Sequence, residues 1–172
     1  MRPIVFLLFL VAGFAQSAPQ ESAHVRRTGH ITLHGSVDKV FPLFGPTDEA
    51  KWAPGWEPSI KYIGNGELGA VFTTGGSPRT TWIVSRYESK AHDRQYTVFF
   101  PEDRVVQLDV TCRALSAGAT SCEIAYALTA ITAAARQAVG SYTQEEHDKR
   151  IAHWQLAINH YLETGTRIEH HD

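Results

Sequence analysis

Histidine is the side chain best suited to ligate metals and to transfer protons near neutral pH, and this chain has nine of them. Their spacing favours neither role. No His-Glu-x-x-His pattern occurs, and His30 and His34 share the polar face of a predicted strand, where an exposed pair is expected. His153 and His160 lie together on a helix face beside its apolar stripe. Residues 169–172 carry ligating side chains, but a chain end is ordinarily frayed. We therefore expect no metal and no cofactor.

Covalent and phosphate chemistry have no motif in the sequence. There is no Gly-x-Ser-x-Gly elbow, and Gly64-Asn65-Gly66 joins two predicted strands rather than opening a helix. Tyr126 is predicted to point inward, where its hydroxyl would hold a ligand carbonyl or satisfy a nearby backbone group. We assign no catalytic residue, because the sequence brings together no two of the candidate proton-transfer groups, which are Glu57, Arg79, Asp109, Tyr126 and His147.

Bulky aromatic residues are more numerous than a small core requires. One interpretation is an apolar cavity in which indole or phenol groups orient a ligand. The alternative is that the rings pack in the core, and we expect this of about half of them. The residues predicted to bind a ligand are Trp52, Trp56, Trp82, Val106, Leu108, Val110, Tyr126, Trp154 and Ile158.

Residues 52–58 form a stiff loop, because Pro54 and Pro58 restrict the chain on both sides of Gly55. Rigid loops that carry two tryptophans often frame the entrance of a site. The two indole rings could equally close one end of the barrel.

The two cysteines flank a turn of small residues, at positions 115–119. A hairpin centred on Ala117 pairs apolar residues with one another, which are Cys112 with Cys122, Val110 with Ile124, Leu108 with Tyr126 and Val106 with Leu128. A one-residue slip would destroy this sorting, so the register is well specified. We predict a disulfide between Cys112 and Cys122 in an oxidising compartment. Two buried thiols are the alternative, because opposed strand positions do not always reach disulfide geometry.

The periodicity of the chain predicts the elements that position these residues. Residues 28–34 alternate polar and apolar, as in a half-buried strand with Ile31 and Leu33 inward. Ser36 is a candidate cap for a short helix over residues 37–44, and a second short helix ends before Pro54. Tight turns then join six strands of a meandering antiparallel sheet, at residues 59–63, 70–74, 80–87, 95–100, 104–113 and 120–132. Residues 133–141 are predicted to be irregular.

A long helix closes the chain. Thr143 and Glu146 have the spacing of a capping box, and Ile151, Trp154 and Ile158 recur at three- and four-residue steps as an apolar stripe. Gly165 is a natural C-cap.

Four segments are distinctive: VFPLFGP at 40–46 followed by Glu49, WAPGWEP at 52–58, TWIV at 81–84 and WQLAINHY at 154–161. Together they resemble small bacterial proteins of the SRPBCC, or START-like, superfamily, which includes polyketide cyclase/dehydrase-like proteins and the birch pollen allergen. The resemblance covers residues 28–165. It implies an α+β helix-grip fold, in which a curved antiparallel sheet of about six to seven strands wraps around a long C-terminal helix. It also implies two short helices after the first strand and a ligand cavity, but not which ligand is bound.

The first residues resemble an export signal. Arg2 precedes an apolar run at residues 4–14, and small residues follow. We predict a signal peptide over residues 1–15, with cleavage possible up to residue 18, and a periplasmic or secreted protein. A linker would span residues 16–27, a single domain residues 28–165 and a flexible tail residues 166–172.

Composition restricts the partners. The net charge is −2 and no basic patch occurs, which argues against nucleic acid. No segment after the first residues is long enough to span a membrane.

The expected partner is a small hydrophobic molecule or lipid, bound in the cavity, and transport of this molecule is a further expectation. A cyclase/dehydrase- or hydrolase-like enzyme is the alternative, and its signature would be a carboxylate or histidine with a shifted pKa inside the pocket. A structural module with a filled core is a third hypothesis, which a pocket of several hundred cubic ångströms would contradict.

Overall fold

A computed structural model describes residues 23–64, 67–75 and 79–168. Its seven strands form one antiparallel sheet in the order β1-β7-β6-β5-β4-β3-β2. The strands are β1 (His24–Leu33), β2 (Ser59–Tyr62), β3 (Val71–Thr74), β4 (Thr80–Glu88), β5 (Asp93–Phe100), β6 (Arg104–Ser116) and β7 (Ala119–Ala130). The helices are α1 (Val37–Val40), α2 (Ala135–Gly140) and α3 (Gln144–Thr164), with 3-10 turns at Phe41–Phe44, Asp48–Lys51 and Ser89–Ala91. This is the α+β helix-grip architecture, and the predicted fold class is confirmed.

The first strand is longer than the alternation of residues 28–34 predicted. It begins at His24, so residues 24–27 are strand rather than linker. These residues pair with the long strand β7, where His24 lies opposite Thr129 and Arg27 opposite Tyr126. The local sequence hides this extension because its side chains do not sort by polarity. The predicted signal segment and residues 169–172 lie outside the described residues.

The segment after β1 carries the chain from one edge of the sheet to the other. The two predicted short helices are present as α1 with its continuing 3-10 turn, and as the turn Asp48–Lys51. Ser36 precedes α1, but its side chain makes no capping hydrogen bond. Its carbonyl instead accepts the backbone N–H groups of Lys39 and Val40, at 2.9 and 3.0 Å, which is enough to start one helical turn.

The β6–β7 hairpin has the predicted register. Cys112 lies opposite Cys122, and the apolar pairs continue along the strands to Val106 and Leu128. The two cysteines form a disulfide, and both are completely buried. A register irregularity at Leu115, between the pairs Ala114–Thr120 and Ser116–Ala119, sets the turn apart from a simple hairpin centred on Ala117.

The long helix α3 lies along β1 and covers the backbone groups at that free edge of the sheet. Gln155 accepts from the backbone N–H of Thr32 at 2.7 Å, and Asn159 accepts from that of His34 at 2.9 Å. Side-chain bonds of this kind protect an edge strand from pairing with another chain. Thr143 and Glu146 form the predicted capping box, and Gly165 ends the helix with φ 73°.

Residues 133–141 are more regular than predicted, because Ala135–Gly140 form α2. The small side chains of this segment carry a weak periodic signal, and only Ala135 and Val139 are buried. The core lies between the sheet and α3, around Val110, Ile124, Ile151 and Ile158. None of the helices in the described part of the chain is long and apolar enough to span a membrane.

Candidate ligand cavity

A cavity of about 420 Å³ lies among the central strands, α2 and α3. Its sheet wall follows from strand alternation, because every second residue of a strand points to the same face. The lining residues are Trp82 of β4, Val98 and Phe100 of β5, Arg104, Val106 and Leu108 of β6, Tyr126 and Leu128 of β7, Ala138 and Val139 of α2, Arg150 and Trp154 of α3, and Glu49, Trp56 and Tyr142 of the connections. Most of these side chains are apolar, and the charged or hydroxyl-bearing ones are Glu49, Arg104, Arg150, Tyr126 and Tyr142.

One end of the cavity is formed by aromatic rings that use their polar atoms within the protein. The indole N–H of Trp56 donates to the carbonyl of Pro46 at 2.8 Å, and that of Trp82 donates to Oγ1 of Thr74 at 2.9 Å. The two rings meet edge to face, 5.1 Å between centroids. Because both N–H groups are occupied, these tryptophans offer a ligand only their apolar surfaces.

Glu49 is the one carboxylate among the residues that line the cavity. The turn Asp48–Lys51 holds its backbone, whose N–H donates to the carbonyl of Gly45 at 3.0 Å. Burial raises the pKa of Glu49 from its ordinary value of 4.5 to about 8, although the nearby positive charge of Arg94 opposes this rise. The carboxyl group is therefore mostly protonated at neutral pH, and it can donate as well as accept a hydrogen bond.

Arg94 lies behind Glu49 and is completely buried. Its guanidinium pairs with the carboxylate of Glu67 and stacks near the rings of Phe41 and Tyr87, at 5.1 and 5.0 Å from their centroids. The hydroxyl of Tyr96, beside the same guanidinium, donates to the carbonyl of Phe44 at 2.6 Å. This cluster ties the segment that carries Glu49 to strands β4 and β5.

Arg150 brings a positive charge to the helix side of the cavity. Its guanidinium carbon lies 5.5 Å from the ring centroid of Tyr126 and 5.9 Å from that of Tyr142. Burial raises the pKa of both tyrosine hydroxyls, and the charge and hydrogen bonding of Arg150 act in the opposite direction. Both phenols are neutral at physiological pH and serve as hydrogen-bonding groups of the wall.

Arg104, the second guanidinium of the cavity, is already engaged. It pairs with the carboxylate of Asp103, and its guanidinium carbon lies 4.4 Å from the centroid of Phe100. Its positive charge is therefore neutralised locally.

Six of the nine residues predicted to bind a ligand line the cavity: Trp56, Trp82, Val106, Leu108, Tyr126 and Trp154. The other three lie in the closed core. Trp52 is 2 % exposed, donates its N–H to the carbonyl of Leu43 at 2.7 Å and packs on Trp154, 5.8 Å between ring centroids. Val110 and Ile158 share the face of the lining residues, but they are 1 % and 0 % exposed because the sheet and α3 meet closely at that level.

The candidate proton-transfer groups fall in different places. Of the five, only Tyr126 lines the cavity. Glu57 and Arg79 are exposed, and Asp109 binds Arg26 and Arg86 away from it. His147 is buried between the hydroxyl of Tyr142 and the carbonyl of Ile124, each 3.1 Å away, and burial lowers its pKa.

Sequence reasoning missed nine of the fifteen lining residues, among them the charged residues Glu49, Arg104 and Arg150. Helical spacing could have found Arg150, because it precedes Trp154 by one helical turn on the same face. Glu49 offered a weaker signal: it is a carboxylate within an apolar, proline- and tryptophan-rich segment. Across residues 23–64, 67–75 and 79–168, no group of three or more histidine, cysteine or acidic side chains is arranged to hold a metal ion.

Comparisons with known proteins show the fold. No family model and no curated protein sequence matches the chain, but solved structures do. A norcoclaurine synthase point mutant from Thalictrum flavum, in complex with a transition-state analogue, has a TM-score of 0.64 and 11% identity, covering 86% of this chain and 100% of that one. Ara h 8.0201 has a TM-score of 0.60 and 17% identity, covering 83% and 99%. The di-domain ARO/CYC protein BexL has a TM-score of 0.62 and 12% identity, covering 81% and 46%. The neighbours have the helix-grip fold of the SRPBCC superfamily, so the resemblance is confirmed for the fold.

Proposed function

We propose that this protein binds a small hydrophobic or amphipathic molecule in the cavity. The observation that carries the proposal is a cavity of about 420 Å³ lined mainly by apolar side chains, with a few polar groups among them. Ligand sites commonly occupy roughly 300–1,000 Å³ and have this composition. A cavity of this size also argues against a module with a filled core. The norcoclaurine synthase of similar fold was solved with a transition-state analogue bound, which supports the use of such a cavity for small organic molecules.

Transport is a further part of the proposal, and nucleic acid is not an expected partner. The net charge of −2 provides no electrostatic attraction to phosphate backbones. A native mass spectrum of the protein isolated from its own cells would test for a carried molecule, and denaturing extraction would identify it.

Fluorescence of N-phenyl-1-naphthylamine, a neutral apolar probe, tests binding directly. We expect saturable binding to the wild type and a loss of about tenfold or more in affinity for Leu108→Trp, whose larger ring would occupy the cavity. Gln107→Trp is the matched control, because Gln107 is the exposed neighbour on the same strand and its side chain points to the opposite face. Absence of saturable binding, or equal affinities of two folded variants, would contradict the proposal.

Catalysis is a second candidate function, and Glu49 is the observation that favours it. A carboxyl group with a pKa of about 8 in an apolar cavity is suited to proton transfer near neutral pH. A cyclase/dehydrase- or hydrolase-like reaction on a bound hydrophobic carbonyl compound would use such a group to protonate oxygen or to remove a proton from carbon.

The base form of Glu49 can be tested with 5-nitrobenzisoxazole. Removal of its C–H proton by a carboxylate breaks the ring N–O bond and releases a coloured nitrophenolate. We expect a rate that rises with pH towards a plateau above about 8, and that falls to the background in Glu49→Gln. Glu57→Gln changes an exposed carboxylate outside the cavity and serves as the control. A full rate in Glu49→Gln would remove the support for an enzyme.

We also propose that the protein is exported and acts in the periplasm or outside the cell, as a single domain after loss of residues 1–15. The N-terminal pattern supports this, and a disulfide such as that of Cys112 and Cys122 is typical of oxidising compartments. N-terminal sequencing of the protein from its own cells tests the cleavage. A retained Met1, or two free thiols in the unreduced protein, would contradict this assignment.

A further inference from the structure

Of the groups that line the cavity, Arg150 is a cation without an acidic partner. No carboxylate of the described residues lies within salt-bridge distance of its guanidinium, whereas Arg104 pairs with Asp103, and Arg94, behind the cavity, pairs with Glu67. The nearby carboxylate of Glu146 is engaged in the cap of α3, where it accepts the backbone N–H of Thr143 at 2.7 Å. Arg150 therefore makes no ion pair within the described residues, and the carboxylate that acts on it electrostatically, that of Glu146, is exposed to solvent.

The surroundings of Arg150 hold it at the rim of the cavity. The rings of Tyr126 and Tyr142 flank the guanidinium at 5.5 and 5.9 Å. Arg150 is exposed to solvent, as is Ala138 of α2, while Val106 and Leu108 on the opposite wall are each 4 % exposed. The cavity therefore has a cationic rim and an apolar interior.

The interior does not oppose an anion at the rim. Glu49 is the one acidic lining residue, and burial keeps it mostly neutral by raising its pKa to about 8. Arg27 of β1 brings a further positive charge near the hydroxyl of Tyr142, which opposes the rise that burial causes in the pKa of that hydroxyl. Arg27 also has no ion pair within the described part of the chain, and its Nη1 donates to the carbonyl of Arg26 at 3.0 Å. Two guanidinium groups, those of Arg150 and Arg27, thus act on the hydroxyl of Tyr142 at this end of the cavity.

We propose that the ligand is an amphipathic carboxylic acid, whose head group binds Arg150 between Tyr126 and Tyr142 and whose apolar part fills the cavity. This inference rests on the proposed binding function and specifies its ligand class. A planar carboxylate matches the two parallel N–H donors of a guanidinium. Charge balance favours a monoanion, because Arg150 is the one positively charged lining residue that makes no ion pair within the described residues. A phosphate monoester, which carries nearly two charges, would find no second unpaired cation among the lining residues, because Arg27 does not line the cavity.

Displacement of N-phenyl-1-naphthylamine by ligands of equal chain length tests the head group. The set is dodecanoate, dodecanol and dodecyl phosphate. We expect dodecanoate to displace the probe from the wild type at a concentration about tenfold lower than dodecanol does, as for one charge-assisted bidentate contact. Dodecyl phosphate should compete less well than dodecanoate. Tighter binding of dodecyl phosphate would overturn the assignment to a carboxylate.

Substitution of the arginine locates the contact. In Arg150→Gln we expect the advantage of dodecanoate to disappear, while dodecanol binds within about twofold of the wild type. Arg150→Lys should retain part of the advantage, because it keeps the charge but loses the planar fork. Lys149→Gln removes a neighbouring charge of α3 that pairs with Glu145, and it should change neither affinity. Thermal melting of each variant confirms that it is folded.

The outcomes separate this inference from the function on which it rests. If the probe and all three competitors fail to bind, the proposed binding function is wrong. If the probe and dodecanol bind but dodecanoate has no advantage, or keeps it in Arg150→Gln, only the head-group assignment is wrong.

Discussion

At the scale of single residues, the raised pKa of Glu49 makes the free energy of unfolding depend on pH. Its pKa is raised from 4.5 to about 8, so the folded protein holds this proton more tightly than the unfolded chain does. The contribution of the group is therefore fully present below pH 4.5. It is lost progressively as the pH rises from there through about 8, where the carboxylate must ionise inside the apolar cavity.

Glu49→Gln should remove this loss, because the amide stays neutral at every pH. We expect the melting temperature of the variant to rise relative to that of the wild type as the pH is raised from 5 to about 8. Above that pH the difference between the two melting temperatures should stay constant. Thermal unfolding by circular dichroism measures the difference. Glu145→Gln, at an exposed position of α3, is the control. A difference that does not change with pH would show that Glu49 ionises as easily in the folded protein as in water.

Arg94 is a second residue whose burial affects stability, because its guanidinium is completely buried and pairs with Glu67. Replacing it with methionine leaves the partly buried carboxylate of Glu67 without its partner, and we expect a loss of about 3 kcal/mol in the free energy of unfolding. Lys149→Met is the comparison, because Lys149 pairs with Glu145 and both side chains are exposed. That change should cost less than about 1 kcal/mol. Urea denaturation measures both, and similar losses would contradict the central role of the buried cluster.

At the scale of elements, the contact between β1 and α3 depends on Gly29. A Cβ at this position would lie 2.4 Å from Cδ1 of Ile151 and 3.3 Å from Oδ1 of Asp148. We expect Gly29→Ala to destabilise the protein by about 1–2 kcal/mol, since the isoleucine can shift only partly in a packed core. Ile151→Val in the same chain should recover part of the loss, as measured by chemical denaturation.

Gly118→Ala is the control for this test, because an added Cβ there meets no atom within 4 Å. We expect it to change the free energy of unfolding by less than about 0.5 kcal/mol. If Gly29→Ala is equally harmless, α3 does not press on β1 as closely as the structure shows.

The β6–β7 hairpin is held by the disulfide as well as by its apolar pairs. The bridge joins residues ten apart in sequence. Its removal should lower the free energy of unfolding by about 2–3 kcal/mol, mainly because the unfolded chain gains conformational entropy. We expect reduction to lower the melting temperature of the wild type and to leave a Cys112→Ala/Cys122→Ala variant unchanged. Equal effects of the reductant on both proteins would mean that the bridge does not contribute to stability.

At the scale of the whole molecule, the cavity exists only when the sheet, α2 and α3 are assembled, so a ligand should stabilise the folded state alone. With N-phenyl-1-naphthylamine at 100 times its dissociation constant, we expect about 2.7 kcal/mol of added stability. Thermal unfolding should show this as a higher melting temperature in the wild type and no change in Leu108→Trp. No shift in the wild type would show that the probe binds outside the cavity or binds the unfolded chain equally well.

The sequence by itself determined the features that depend on near neighbours along the chain. Alternation fixed which face each residue of β6 and β7 occupies, because a slip of one residue would expose every apolar pair from Val106 to Cys112. The capping box of Thr143 and Glu146 and the glycine at position 165 set the ends of α3, because backbone groups there need a local partner. These patterns were sufficient for the fold class.

Only the tertiary structure decided which inward residues line the cavity. Val110 and Leu108 share one face of β6, but the first lies in the closed core and the second lines open space. The difference depends on the distance between α3 and the sheet at each level, which no local pattern records. Glu49 and Arg150 lie about a hundred residues apart in the sequence, and they line the same cavity only once the sheet is assembled. Packing between distant segments therefore sets the chemistry of this cavity, while local patterns set its framework.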